Sequence, residues 1–452
     1  MSTVPFMSNS HISITQLTTY FSDLAARCQP LQARCALCET SQGTLSRCAG
    51  CRLVKYCSRG HQVQHRDKHK SACKKTIKLR DKLQKEEHAV RNATPDFMTP
   101  PNAFETHVGR FWGLLHTRPY MRARWAVADH AVQMATLDGV TEGLGHLRDM
   151  LRLCRGDNMG VRDCVPALML RLNQDQQAYD FIKWYETEPD EHYDWGDMSL
   201  PFLNTRDADV LEEPTHLLGK YAPINFQVAV LLLKFKMLVD IRQILITRKV
   251  TKGRLPTELS KLIAEDALQS PLSSCFLNKS HLELIRTEKR IVSHCMKLGA
   301  AIVQENQHFV ALLLEPDEEV LSHRPEMYSR GSYEEATLAL QNAYAAWQGT
   351  VGALDLLKDA RACAAKDSED EVQDYLDDDV HGRTAQEMLS DLSINRVWGY
   401  LKDAIANGSY LGPPADRPSE RWTREAKKAW DDAIAEEEED WGSVTDSEDE
   451  SD

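Results

Sequence analysis

Eight cysteines and histidines in close pairs fall within 39 positions of this chain, and their spacing constrains its fold more than any other feature. They form four pairs: Cys35/Cys38 in CALC, Cys48/Cys51 in CAGC, Cys57/His61 in YCSRGHQ, and His69/Cys73 in HKSAC. A two-residue gap lets both thiolates of a turn face one ion. A three-residue gap puts both ligands on one face of a helix, a turn apart. Thiolate and imidazole ligands in fours suit zinc, which brings no redox chemistry and no geometric preference of its own. So short a segment cannot bury enough core to fold alone, and a zinc affinity of ~10–16 kcal/mol is what folds it. Because the chain fills all eight positions, no site is left for an activated water, and metal-assisted hydrolysis is not expected. His65 competes with His69 on paper, but the HKSAC spacing favours His69.

These residues resemble the MYND family, whose pattern runs C-x2-C, C-x2-C, Y-C-S-x2-C-Q, H-K-x2-C. The resemblance extends to Tyr56, Ser58, Gln62 and Lys70. It implies that the pairs cross, with Cys35, Cys38, Cys57 and His61 on one zinc and Cys48, Cys51, His69 and Cys73 on the other. His61 stands where the commoner form has Cys, a conservative change for zinc. A RING-type ligase would end in a C-x2-C pair, which is not the order here. MYND modules that grip proline-containing peptides resemble one another at a Gln and, four residues on, a Trp. Gln62 matches, but Arg66 replaces the Trp, so these two candidate peptide-binding residues point to an acidic or mixed ligand.

Charge is unevenly spread. Residues 431–452 carry twelve acids and no base, nearly all of the net charge of −14, whereas Arg47 to Lys85 hold thirteen Lys or Arg against Asp67 and Asp81. The stretch from Lys68 to Lys85 reads as a solvated helix, an import signal or a nucleic-acid contact. The absence of an aromatic stacking platform, and the competing acidic tail, argue against nucleic acid. In the tail, Ser443, Thr445 and Ser447 each have an acid three residues on, the pattern that acidophilic kinases favour. Otherwise it reads as a solubilising tail.

The expected fold class is mainly α: a small cross-brace two-zinc finger plus an all-α, helical-hairpin body of repeat-like character. The expected divisions are an N-terminal helical segment (1–34), the finger (35–73), a basic helix and linker (74–103), the helical body (104–407), and a loop, short helix and acidic disordered tail (408–452). Pro95, Pro100 and Pro101 mark the linker. The segments 141–147, 176–182 and 333–340 share a texture at a period near 34 that resembles tetratricopeptide-type hairpins, with Gly143 where the others have Ala178 and Ala336. Residues 188–216 form a polar, aromatic loop, and 366–381 are acidic and solvated. In the former, His192, Asp194 and Asp197 read as loop residues rather than ligands. The most apolar run, Ile224 to Ile246, is interrupted by Lys234, Lys236, Asp240 and Arg242, so it is a buried helix and not a membrane span. Lacking a basic, apolar leader, the chain is expected to be intracellular, nuclear or cytoplasmic, and Cys28, Cys154, Cys164, Cys275, Cys295 and Cys363 to be reduced, buried thiols.

No phosphate-binding loop, nucleophile elbow or HExxH is present. Two classes remain: a non-enzymatic zinc adaptor meeting protein partners through the finger and the helical body, or a SET-type lysine methyltransferase with an inserted MYND finger. The second lacks a Gly-rich cofactor strand and an Asn-His-Ser-x-x-Pro-Asn segment, and the body reads helical where SET is β-rich. A nucleic-acid binder acting through the basic finger is the third alternative. The resemblance favours an adaptor in transcriptional or signalling assembly.

Overall fold

The computed structural model describes residues 31–253, 255–377 and 382–407. The expected N-terminal helix, Cys28, and everything after Asn407, including Ser443, Thr445 and Ser447, lie outside the described residues.

One compact unit runs to Leu172 and takes in Asp194–Leu200. Its two CxxC turns are built alike. Glu39 (φ 56°) and Arg52 (φ 62°), each following the second Cys of its pair, adopt the left-handed conformation. Each donates its N–H to the carbonyl of the first Cys, at 2.9 Å. Between the turns, β1 (Ser46–Arg47) pairs antiparallel with β2 (Lys55–Tyr56), Ser46 opposite Tyr56. Ser58 then caps α1 (Arg59–Gln64), its Oγ accepting the His61 N–H at 3.2 Å. After His65 comes α2 (Arg66–Arg91), a helix that starts inside the finger and continues well beyond it.

The rest of this unit is α3 (Ala103–Thr106), α4 (Arg118–Gln133), α5 (Leu137–Leu153) and α6 (Val165–Arg171). Beyond the prolines the chain packs back: Phe104 meets Tyr120 edge-on at 5.1 Å, and the Arg91 guanidinium sits 4.2 Å from its centroid. Helices α4 and α5 form a hairpin around the turn 134–136, in which Ala135 is left-handed (φ 52°). Gly143 lets them close up, since a Cβ there would lie 2.5 Å from Val132 Cγ2 and 3.0 Å from the Ala128 carbonyl.

The second unit comprises Asn173–Tyr193 and residues from Pro201 onward. It holds α7 (Asp175–Thr187), α8 (Ile224–Thr251), α9 (Thr257–Asp266), α10 (His281–Glu305), α11 (Phe309–Leu314), α12 (Glu318–Ser322), α13 (Tyr333–Gly349), α14 (Ala353–Asp377), α15 (Ala385–Arg396) and α16 (Leu401–Asn407). Helix α8 is apolar on every side and is buried accordingly, with α9, α10 and α13 packed around it. Three of its four interrupting charges, Lys234, Lys236 and Asp240, are buried too, and partnered, while Arg242 is half-buried and pairs with Glu288 at 3.0 Å. Lys234 reaches the Val210 and Glu212 carbonyls, and Lys236 meets Asn173 at 2.8 Å and Asp175 at 3.0 Å. Asp240 accepts the N–H groups of Gln269 and Ser270 at 2.9 Å. No helix among the described residues is long and apolar enough to cross a membrane.

The segments expected to repeat lie in α5, α7 and α13, but the helices before them have 16, 7 and 5 residues. The acidic stretch from residue 366, expected to be solvated, is helical to Asp377 as the end of α14, with Lys366, Asp367 and Glu369 exposed. Ser368 is fully buried there and accepts from Arg396 at 2.9 Å, while Arg396 also pairs with Glu371 at 2.7 Å. Cys275 also departs from expectation: it is exposed, whereas Cys154 and Cys295 are buried.

Residues 188–214 are without helix. The Asp194 and Asp197 carboxylates accept the N–H of Gly196 and Ser199, each at 2.8 Å, making local turns, and His192 is exposed.

Candidate metal centres

The two CxxC turns, the Cys57–His61 turn and the first turns of α2 carry the eight candidate ligands. The structure gathers them into two clusters, within each of which all ligand atoms lie within 4.8 Å of one another. One is Cys35, Cys38, Cys57 and His61; the other is Cys48, Cys51, His69 and Cys73. The pairs cross, first with third and second with fourth. The second half of the segment is thereby locked over the first.

Distances test whether zinc fits. With Zn–S of about 2.3 Å and Zn–N of about 2.0 Å, a tetrahedron sets sulfurs about 3.8 Å apart and sulfur and nitrogen about 3.5 Å apart. In the first cluster Cys38 Sγ and Cys57 Sγ are 3.7 Å apart, and His61 Nδ1 is 3.5 Å from Cys35 Sγ and 3.1 Å from Cys57 Sγ. In the second, Cys48 Sγ and Cys73 Sγ are 3.9 Å apart, and His69 Nε2 is 3.4 Å from Cys51 Sγ. Both sets fit a tetrahedral zinc, His61 through Nδ1 and His69 through Nε2.

Electrostatics agree. Burial would raise the Cys35 and Cys48 thiols, but hydrogen bonds from backbone N–H groups outweigh it and lower them: Cys38, Cys57 and Leu37 act on Cys35, Cys51 and Gly50 on Cys48. Cys51 is pushed the other way, by burial first and then by the negative charge of Cys48 and Cys73. Three thiolates packed this closely call for a cation among them.

Tyr56 is buried, with its hydroxyl 3.0 Å from His65 Nδ1. His65 is absent from both clusters; its ring stacks on that of His69, 6.0 Å between centroids and 12° from parallel, and so helps fix the ligand's orientation. The finger's own core is small (Leu53, Val54, Tyr56 and the buried cysteines) and is completed by Ala131 and Met134 from α4 and the turn after it. Polar ties run the same way. Thr136 Oγ1 donates to the Leu53 carbonyl at 2.5 Å, and Arg80 donates to the Cys51 carbonyl and to Glu142, each at 2.7 Å. Asp138 accepts Arg47 at 2.7 Å and Lys55 at 3.2 Å. None of these anchors was visible in the sequence. Arg80 read as one more cation in a basic run, and Asp138 lies 91 residues from Arg47.

On another side of the finger, Arg59, Gln62, Val63, Arg66, Lys70 and Lys74 line a surface groove of about 310 Å³, floored by Cys48, His69 and Cys73. The candidate peptide-binding pair Gln62 and Arg66 thus shares one groove, one helical turn apart across the α1–α2 junction.

A closed, cross-braced pair of Cys3His sites on a minimal hairpin and two helices defines a structural zinc finger, with no coordination position for a substrate. Residues 35–73 match the sequence model of the MYND finger family, and the chain carries a MYND finger, a zinc-binding protein-interaction module. The match covers the finger alone. No curated protein and no solved structure matches the chain.

Proposed function

We propose that this protein is a non-enzymatic adaptor that uses its finger and its helical body to bring protein partners together, in transcriptional or signalling assembly inside the cell. The observation that carries this reading is the division of the finger's surface. One side is tied to α2, α4 and α5 through Arg80, Thr136, Asp138 and Ala131, while another offers an open groove beside the second zinc centre. Both metal centres are closed by the chain's own ligands, so zinc here shapes a surface and performs no chemistry on a substrate.

The test is a pull-down from cell extract with the full chain and with Cys57→Ser/His69→Ala, which removes one ligand from each zinc. Partners of the finger are expected to disappear with the variant, while those of the helical body remain. An identical set of partners from both proteins would remove the finger from the proposal. Incubation with a labelled methyl donor and a lysine-rich substrate separates the adaptor from a methyltransferase, and turnover there would overturn the non-enzymatic reading.

A further inference from the structure

We infer that the groove beside the second zinc centre binds an acidic peptide segment of a partner protein, with an apolar side chain seated on Val63. This rests on the adaptor reading above and gives the chemical class of its ligand.

The finger's cations divide into two sets. Arg47 and Lys55 are paired with Asp138, and Arg80 with Glu142. Arg59, Arg66, Lys70 and Lys74 all line the groove, and among the described residues none has a carboxylate within 4.0 Å. Among the described residues no acid lines the groove. The metal centre beneath does not cancel this charge, since three thiolates around one divalent ion leave a single negative charge against four positive ones. Four unpaired cations converging on one concavity repel each other, and a polyanion relieves that repulsion. A simple polyanion site would need nothing more, but Val63 is 62% exposed within the groove, and Ile77, 41% exposed, lies near Cys73 and Lys74 on the same helix. Exposed β-branched residues amid lysines suit a ligand that carries an apolar side chain among its acids. Arg66 helps define the specificity, because a guanidinium grips a carboxylate through two parallel hydrogen bonds.

The experiment is fluorescence anisotropy with the full chain and three labelled twelve-residue peptides: Asp and Glu flanking one Leu, the same with every acid replaced by Gln, and a proline-leucine peptide. The acidic peptide is expected to bind, to weaken as salt rises, and to be preferred over both others. Lys70→Glu/Lys74→Glu is expected to weaken it by about tenfold or more. The control Lys82→Glu/Lys85→Glu changes net charge equally, on exposed residues of α2 outside the groove, and is expected to weaken it much less. Val63→Ser is expected to reduce binding of the Leu-containing acidic peptide and to leave that of a Leu-free acidic peptide unchanged. Equal losses from the two charge-reversed variants, or a preference for the proline-leucine peptide, would overturn the inference. If the acidic peptide binds only after residues 408–452 are deleted, the occupant is the chain's own acidic segment and the assignment to a partner protein is wrong. Loss of pulled-down partners in the Cys57→Ser/His69→Ala variant, alongside no acidic-peptide binding, would leave the adaptor reading standing and refute the ligand class alone.

Discussion

Single residues carry the close contacts of the finger's unit, and Gly143 is the clearest. Its missing Cβ is what lets α5 approach α4, and Val132, the first atom it would strike, is β-branched and stiff within a helix. Gly143→Ala is therefore expected to destabilise the unit by about 1–2 kcal/mol, overpacking outweighing the roughly 1 kcal/mol that alanine contributes to a helix. Gly145, two residues on in the same helix, has nothing within 4 Å of its Cβ position. Gly145→Ala is expected to stabilise, so the two substitutions should move the urea midpoint in opposite directions. The sequence marked Gly143 only as a departure from the alanines of kindred segments. The reason for it lies on another helix. The eight metal ligands were legible for the opposite reason: ligand pairs three or four positions apart are geometrically committed by the local chain alone.

At the scale of the element, α2 belongs to two structures at once. Its first turns supply His69 and Cys73 to a zinc centre, and its later turns pack on α4, with Thr76 Oγ1 3.1 Å from His130 Nε2. Metal removal should consequently loosen more than the hairpin. On addition of a strong chelator, hydrogen exchange is expected to rise across residues 35–73, where few apolar side chains remain to hold the fold, and to stay unchanged in α8, α10 and α13. Faster exchange in those three helices would show that zinc stabilises far more of the chain than its own segment. Helix α14 gives the complementary lesson. Its last turns read as solvated because Glu and Asp dominate the count, and Lys366, Asp367 and Glu369 are exposed, yet Ser368 and Val372 are buried. Composition reports the average of a helix, whereas packing depends on one face of it.

At the scale of the whole molecule, stability depends on groups that burial holds neutral. His216 and His294 in the second unit are both lowered to about 4, chiefly by burial and then by nearby lysines, and Glu212 and Glu213 oppose this weakly. Neither ring nitrogen of His216 and not the Nδ1 of His294 has a hydrogen-bond partner among the described residues. The unfolded chain takes up these protons near pH 6.5 and the folded chain only near 4. The stability they contribute is thus complete above pH 6.5 and lost as the pH falls to about 4. The melting temperature should fall through that window, and His216→Gln/His294→Gln should flatten the fall. A variant with the same slope as the wild type would place the titrating groups elsewhere.

What depends on near neighbours was legible in the chain: the four ligand pairs, the helical character of the body, the buried nature of α8 and the opposed charges of finger and tail. These follow from ligand spacing and from hydrophobic period, which are properties of a few consecutive turns. The sorting of the pairs into two zinc sites was implied by the resemblance to the MYND family. Long-range packing settled which of the finger's cations pair with Asp138 and Glu142 and which line the groove with no carboxylate within 4.0 Å among the described residues, that Lys234 and Lys236 are buried, and where the chain divides into units. A charge has the same letter in the sequence whether it is paired or not. Its partner lies tens of residues away, and only the packed fold brings the two together.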